Sequence, residues 1–204
     1  MKKFVVVGLD LAGISRRPTG ACSLREFESS TELLFEDRDI LDYVRRSKPE
    51  LVAIDAPLNL PPGRRSIEDR NGAHFRPCDL ELRRQKIPFF PITLGPMRAL
   101  TVRGIGLRRL LEKEGFRVVE IYPGGAQDVW GIPRARHNLR KLRQGLIRLG
   151  VKGLAKDISE HELDAVSGAL VGIHFLKGKA RVFGDFRTGA IIMPRGKGRG
   201  RRSC

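Results

Sequence analysis

Three apolar runs, each ending at or next to a carboxylate, most constrain what this chain can fold into. They are VVVGLD, which ends at Asp10, LVAID, which ends at Asp55, and VVEIYP, which contains Glu120. Continuous apolar runs of this length are typical of strands that are buried on both faces, as in a parallel sheet covered by helices. The sequence therefore predicts an α/β protein in which these runs are the central strands.

Weaker strand patterns lie between and after these runs. Residues 20–24 and 32–36 separate the first run from the second, and residues 182–183 and 190–193 are consistent with a hairpin near the C-terminus. Gly, Pro and polar residues between the patterns mark the turns. We therefore expect the strands at 20–24 and 32–36 to join the sheet beside the first run.

Helical periodicity accounts for most of the remaining chain, apart from one long connection. Residues 56–96 are rich in Pro, Arg and Gly and are predicted to form an ordered excursion, since loops of this length in a compact domain are usually functional. A short helix at 79–86 interrupts it. A second short helix is expected at 39–46, and longer helices are expected at 100–113 and 136–149.

The stretch HELDAVSGAL predicts a further helix that carries an acid close to its buried side. Ser159 and Glu162 have the spacing of a capping box, in which the serine is the N-cap and the glutamate is at N3. Apolar residues then recur at helical spacing, and Asp164 lies beside that stripe with His161 three residues earlier. Because an unpaired buried carboxylate is costly, Asp164 must meet a partner.

The charge of the chain favours a polyanionic partner. The net charge is +16, and the basic Gly/Arg tail at residues 195–204 contributes five of these charges, which leaves +11 on residues 1–194. We expect residues 1–194 to form one domain that binds nucleic acid through its basic surface. The alternative is a basic protein without a specific polyanionic partner.

The positions of the cysteines and the hydropathy of the chain narrow the class of protein further. The three cysteines are far apart and form no C-x-x-C pair, so neither a zinc site nor a disulfide framework is indicated. The chain has no apolar run of about 18 residues, and its start is strand-like. We therefore expect a cytoplasmic protein without a membrane partner, and both a monomer and a dimer stay open.

Acids at strand ends predict a metal site. If the three central strands are parallel neighbours, Asp10, Asp55 and Glu120 lie at the edge of the sheet where α/β proteins bind ligands. Strands about 4.8 Å apart would let neighbouring carboxylates share divalent cations. Hard oxygen ligands favour Mg²⁺ or Mn²⁺. Asp164 could complete this site from its helix, with His161 beside it as a ligand or proton carrier.

Several sequence blocks resemble the signature of an uncharacterised family of predicted nucleases. They are GLDLAG, IDAPL, CDLELRR, MRALTVRG, VVEIYP and HELDAVSGAL, which occur in the family's order over nearly the whole chain. The resemblance implies an RNase H-like, RuvC-like fold with a mixed five-stranded sheet in the order 3-2-1-4-5. The first three strands would be antiparallel, the fourth and fifth parallel to the first, and the Pro/Arg-rich excursion would follow the fourth.

The same resemblance implies functional roles. It places metal-binding acids at Asp10, Asp55 and Asp164, and a further ligand at His161. Glu120 would lie on the fifth strand, one step further out. All five are candidate catalytic residues.

Each candidate also has a structural interpretation. Asp10 and Asp55 could fix the turns after their strands, His161 could be a surface imidazole, and Glu120 could form a salt bridge to Arg98 or Arg103. Asp79 has the position of a helix N-cap.

Arginines near these motifs are candidate phosphate ligands, because a guanidinium pairs two oxygens at once. We select Arg83, Arg98 and Arg103, which could instead belong to solvated faces. Aromatic residues of the excursion could stack on unpaired bases, namely His74, Phe75, Phe89 and Phe90.

Three functions are compatible with these patterns. The first is a Mg²⁺- or Mn²⁺-dependent nuclease that hydrolyses phosphodiester bonds of DNA or RNA. The second is a non-catalytic nucleic-acid-binding protein of the same fold. The third is a phosphotransferase of the actin-like ATPase type, which ranks last because the chain contains no G-x-x-x-x-G-K-[ST] loop.

Overall fold

The computed structural model describes residues 3–70 and 72–196. Its strands are β1 (Val5–Asp10), β2 (Thr19–Arg25), β3 (Glu28–Leu34), β4 (Leu51–Asp55), β5 (Val118–Ile121), β6 (Ala180–Asp185) and β7 (Gly189–Pro194). Its helices are α1 (Asp37–Ser47), α2 (Pro77–Arg84), α3 (Gly95–Lys113), α4 (Pro123–Trp130), α5 (Leu139–Arg148) and α6 (Glu160–Leu176). The predicted basic tail lies outside the described residues, apart from Arg195 and Gly196.

The strands form one mixed sheet in the order β3-β2-β1-β4-β5-β7-β6. β1 to β3 pair antiparallel, while β4 pairs parallel with β1 and β5 parallel with β4. This part of the sheet has the predicted order 3-2-1-4-5, but the predicted number of five strands is wrong. β7 pairs parallel with β5, and β6 pairs antiparallel with β7. The reason is that β7 is apolar and buried along its whole length, so it needs a neighbour on each side.

One face of the sheet is covered by α6, which lies unusually close to β1 and β2. A Cβ atom added at Gly8 would be 2.1 Å from the backbone oxygen of Ala165, and one at Gly20 would be 2.0 Å from that of His161. Only glycine permits such an approach of helix backbone to strand backbone. The two glycines therefore fix the height at which α6 carries its polar residues over the ends of the strands.

The opposite face is covered by α1 and α3. Val7 and Leu9 of β1 and Val52 and Ile54 of β4 belong to the apolar cluster on this side, together with Leu107 of α3. Side chains of a strand alternate between the two faces. The remaining residues of β1 and β4, including their terminal aspartates, therefore point towards α6.

The connection from β4 to α3 includes α2, which packs on the terminal hairpin. Cys78 and Leu82 of α2 join Phe183, Ile191 and Met193 in a small apolar cluster. The N-cap of α2 is Arg76, with Asp79 at N3, so the prediction of Asp79 as the N-cap is wrong. Pro77 supplies the first helical residue, whose missing N–H would have no intrahelical partner.

Two further observations bear on the expectations from sequence. α4 has no counterpart among the predicted helices, and only Tyr122, its N-cap, separates it from β5. Among the described residues, no helix has both the length and the apolar composition needed to cross a membrane.

Candidate active site

Asp10 and Asp55 are neighbours at the same edge of the sheet. They are paired residues at the carboxyl ends of the parallel strands β1 and β4, which is where α/β sheets bind ligands. Paired residues on adjacent strands point to the same face, and here that face is the one covered by α6. The two carboxylates are therefore held side by side under the first turns of α6.

His161 contacts the first of these acids. Its Nδ1 lies 2.7 Å from Oδ2 of Asp10. This hydrogen bond is the main reason why the pKa of His161 is raised above its ordinary value, while partial burial opposes the shift. The capping box of α6 is confirmed, since Ser159 and Glu162 exchange both capping hydrogen bonds. That box sets the orientation of the helical turn that carries His161.

Asp164 meets a glutamine. Nε2 of Gln127, from α4, donates to Oδ1 of Asp164 at 2.6 Å and to Oγ of Ser167 at 3.0 Å. Burial, followed by the charge of Asp10, raises the pKa of Asp164 to about 7, and the bond from Gln127 opposes that rise. Sequence reasoning missed Gln127 because it missed α4. The available indication was Pro123 two positions after the end of a buried strand, because proline is common at the first helical position.

Asp55 has neither a hydrogen bond nor an ion pair within residues 3–70 and 72–196. Burial raises its pKa well above the ordinary value, and the charges of Asp10, Asp164 and Glu120 raise it further. Asp55 is therefore an acid held next to other acids without a neutralising partner. We refer to Asp10, Asp55 and Asp164 as the acid trio.

The acid trio lines one cleft of about 410 Å³ together with His161 and Gln127. Within the described part of the chain, no three His, Cys, Asp or Glu side chains are close enough to form a complete metal-ligand cluster. The donor chemistry nevertheless fits a hard divalent cation, because every acid of the trio offers carboxylate oxygen and no donor in the described residues occupies Asp55. The cleft thus contains a suitable donor set rather than an assembled ligand shell.

Glu120 belongs to a different arrangement, because it pairs with Ile54 rather than with Asp55. Its side chain therefore leaves the strand on the face opposite the acid trio, and Glu120 borders the same cleft from that side, together with Arg76. Its carboxylate accepts two hydrogen bonds from Arg76, at 2.6 and 2.8 Å, and one from the backbone N–H of Leu58 at 2.9 Å. The salt bridge of Glu120 is thus made with Arg76, and not with Arg98 or Arg103.

Asp79 completes this second arrangement. Its two oxygens accept from Nε and Nη2 of Arg76 at 3.0 and 2.8 Å. Burial raises the pKa of Glu120, and the guanidinium of Arg76 opposes that rise. The side chains of Arg76, Asp79 and Glu120 are 2%, 3% and 6% exposed. We refer to these residues as the Arg76 triad.

The three selected arginines lie away from the acid trio. Arg103 donates to Asp37 at 2.8 Å and to two backbone carbonyls, and its side chain is only 9% exposed. Arg98 pairs with Glu68, and the guanidinium of Arg83 lies over the ring of Phe75. The arginines that line the cleft are Arg76, Arg134 and Arg136.

Comparison with known proteins assigns the chain to a family. The profile described as "Protein of unknown function (DUF429)" matches residues 8–188, so the chain belongs to that family. This confirms the assignment to an uncharacterised family made from the sequence blocks. Among solved structures, RuvC of Thermus thermophilus is similar, with 15% identity, a TM-score of 0.47, and coverage of 85% of this chain and 96% of that chain. No curated protein matches the chain.

Proposed function

We propose that this protein is a metal-dependent nuclease that hydrolyses phosphodiester bonds of DNA or RNA at the acid trio. The observation that carries the proposal is Asp55, a carboxylate that has no partner among the described residues and faces two other acids at the ligand-binding edge of the sheet. Crowded acids repel one another and cost stability. A bound cation would offset this cost, because it would neutralise the charges of the acids.

The acid trio would hold Mg²⁺ or Mn²⁺, since both prefer oxygen ligands. A bound cation of this kind supplies a nucleophilic water at neutral pH and stabilises charge on the attacking and leaving oxygens. The chain contributes Asp10 and Asp55 from paired strand ends and Asp164 from α6. Gln127 occupies Oδ1 of Asp164, and so it fixes the orientation in which this carboxylate faces the cleft.

His161 is proposed to move protons. Its Nδ1 is fixed by Asp10, which raises the pKa of the ring and keeps it protonated at a higher pH than a free histidine. The side chain is 39% exposed, so Nε2 can transfer a proton between the cleft and solvent. For Glu120 we propose a positioning role, because Arg76 occupies both of its oxygens.

The partner is proposed to be nucleic acid. The excess of basic residues gives a net charge of +16, which attracts a polyanion and makes its binding sensitive to salt. A second candidate is a binding protein that does not cleave, because the excess of basic residues supports binding of a polyanion whether or not the acid trio holds a cation.

Metal binding and cleavage, measured together, test the proposal. Melting temperature would be recorded with and without Mn²⁺ for the wild type, Asp10→Asn and Asp164→Asn, alongside cleavage of labelled DNA and RNA. Asp157→Asn is the matched control, since Asp157 is exposed and lies just before α6. We expect Mn²⁺ to stabilise the wild type and the control, and both the stabilisation and the cleavage to be lost in the two trio variants.

Two outcomes would count against the nuclease. Metal stabilisation without cleavage of any substrate would favour the non-catalytic binding protein. Equal Mn²⁺ stabilisation of all four proteins would show that the acid trio does not hold the cation.

A further inference from the structure

The cleft that contains the acid trio also contains an exposed aromatic side chain. Phe90 is 64% exposed and lines this cleft. Met97 and Leu100 of α3 contribute further apolar lining. Several large apolar side chains are exposed in the described residues; Phe90 has the largest exposed fraction among them, and it lies in the cleft of the acid trio.

Phe90 is held in this position by its neighbours in the chain. The preceding residue, Phe89, packs against the cluster formed by α2 and the terminal hairpin, with its ring 6.0 Å from that of Phe75. The hydroxyl of Tyr122, just after β5, donates to the backbone oxygen of Pro88 at 2.7 Å. The segment is therefore tied to the sheet on one side of Phe90, so binding a ligand there costs little additional ordering.

The same cleft contains a positively charged side chain that can bind a phosphate. Arg136 lines it and has no carboxylate partner in the described ranges, while the neighbouring Arg134 is paired with Asp128. A ligand that satisfies the whole cleft must combine a flat apolar face with negative charge. A nucleotide with an unpaired base has both, whereas a continuous duplex hides its base faces inside the stack.

We propose that Phe90 stacks on an unpaired base next to the scissile phosphate. The site therefore selects single-stranded or locally unpaired nucleic acid over continuous duplex. This inference rests on the proposed nuclease function and adds to it the conformation of the substrate strand. Stacking on an aromatic ring tolerates any base, so the selectivity is for strand structure rather than sequence.

The test measures binding without cleavage. Affinities of a fluorescein-labelled single strand and of the matching duplex would be measured in EDTA for the wild type and Phe90→Ala, in one series with DNA and one with RNA. We expect Phe90→Ala to bind the single strand roughly 5- to 100-fold more weakly and to leave duplex affinity within about twofold. A fluorescent adenine analogue in the single strand should be quenched by the wild type and not by Phe90→Ala.

A matched control separates base stacking from general loss of apolar surface. Phe186 is 53% exposed in the turn between β6 and β7 and does not line this cleft. Phe186→Ala should therefore retain wild-type affinity for both probes. Phe90→Trp should retain the preference for the single strand and the quenching, since tryptophan also presents a ring face.

Three results would overturn the inference. The first is unchanged single-strand affinity of Phe90→Ala, as expected if an apolar protein partner covers Phe90. The second is an equal loss on single strand and duplex, and the third is a wild type that prefers duplex. If Asp10→Asn still abolishes cleavage in such a case, the nuclease stands and only base stacking fails. If the wild type shows the expected preference for the single strand and the quenching but cleaves no substrate, the nuclease proposal fails and the stacking inference stands.

Discussion

Asp55 and Glu120 lie near the ends of adjacent parallel strands, yet they belong to opposite kinds of environment. Asp55 faces Asp10 and Asp164 and has no partner in the described residues. Glu120, which pairs with Ile54, leaves its strand on the other face; it borders the same cleft, but Arg76 binds both of its oxygens. A step of one residue along the strand separates the two environments, because successive side chains point to opposite faces.

The comparison shows how a buried acid can be classified by what surrounds it. The Arg76 triad is paired and its members are almost fully buried; it joins the start of α2 to β5 and so holds one wall of the cleft. Within the acid trio, Asp10 is paired with His161 and Asp164 accepts from Gln127, but Asp55 has no partner in the described residues. An acid whose charge is balanced within the fold is available for structure, whereas an acid left unbalanced in a cleft is a candidate for binding or catalysis.

The largest expected effect is a loss of stability when Arg76, the cation of the Arg76 triad, is replaced. Arg76→Leu should lower the free energy of unfolding by about 3–5 kcal/mol, because Asp79 and Glu120 would be left as buried, unpaired charges. Urea denaturation measures this loss. Arg83→Leu is the control on the same helix, and it should change stability by less than about 0.5 kcal/mol. Similar small effects of both changes would mean that the triad does not hold α2 in place.

The next effect is the pH dependence of the free energy of unfolding, measured without added metal. Burial and Asp10 raise the pKa of Asp164 to about 7 in the folded protein, so the folded state holds a proton that the unfolded state releases near pH 4. The contribution of this proton to the stability of the fold is fully present below pH 4 and is lost as the pH rises through about 7. After allowance for partial solvent screening, we expect a loss of about 1–2 kcal/mol between pH 5 and pH 8.

The raised pKa of His161 changes stability in the same direction, since stability is again lost as the pH rises. Urea denaturation across this pH range tests the expectation, and Asp164→Asn should flatten the curve. A wild type that gains stability from pH 5 to pH 8 would contradict the repulsion assigned to the acid trio.

The smallest expected effect is a gain of stability, in contrast to the loss expected for Arg76→Leu. Asp55→Asn keeps the shape of the side chain and removes one of the mutually repelling charges, so it should raise the free energy of unfolding by about 1 kcal/mol at neutral pH without metal. Thermal melting in EDTA measures it. With Mn²⁺ the order should reverse, because the wild type gains a ligand that the variant binds less well. A variant less stable than the wild type in EDTA would indicate a structural role for Asp55.

The local features of this protein were readable from its sequence. β1 and β4 have the predicted bounds, because a buried strand needs an uninterrupted apolar run and both runs end at an aspartate. The N-terminus of α6 was predicted for a similar reason, since Ser159 and Glu162 satisfy each other within one turn. Asp10 and Asp55 were expected at one edge of the sheet, and their register brings them there.

What the tertiary structure decided was the pairing between distant segments. Glu120 lies within a similar apolar run, but only the tertiary structure shows that it faces Arg76. Gln127 became the partner of Asp164 because α4 follows β5 and packs on α6, a contact between residues 37 positions apart. Sequence periodicity specifies which residues of an element share a face. It does not specify which neighbour meets that face, because this depends on how strands align and helices pack.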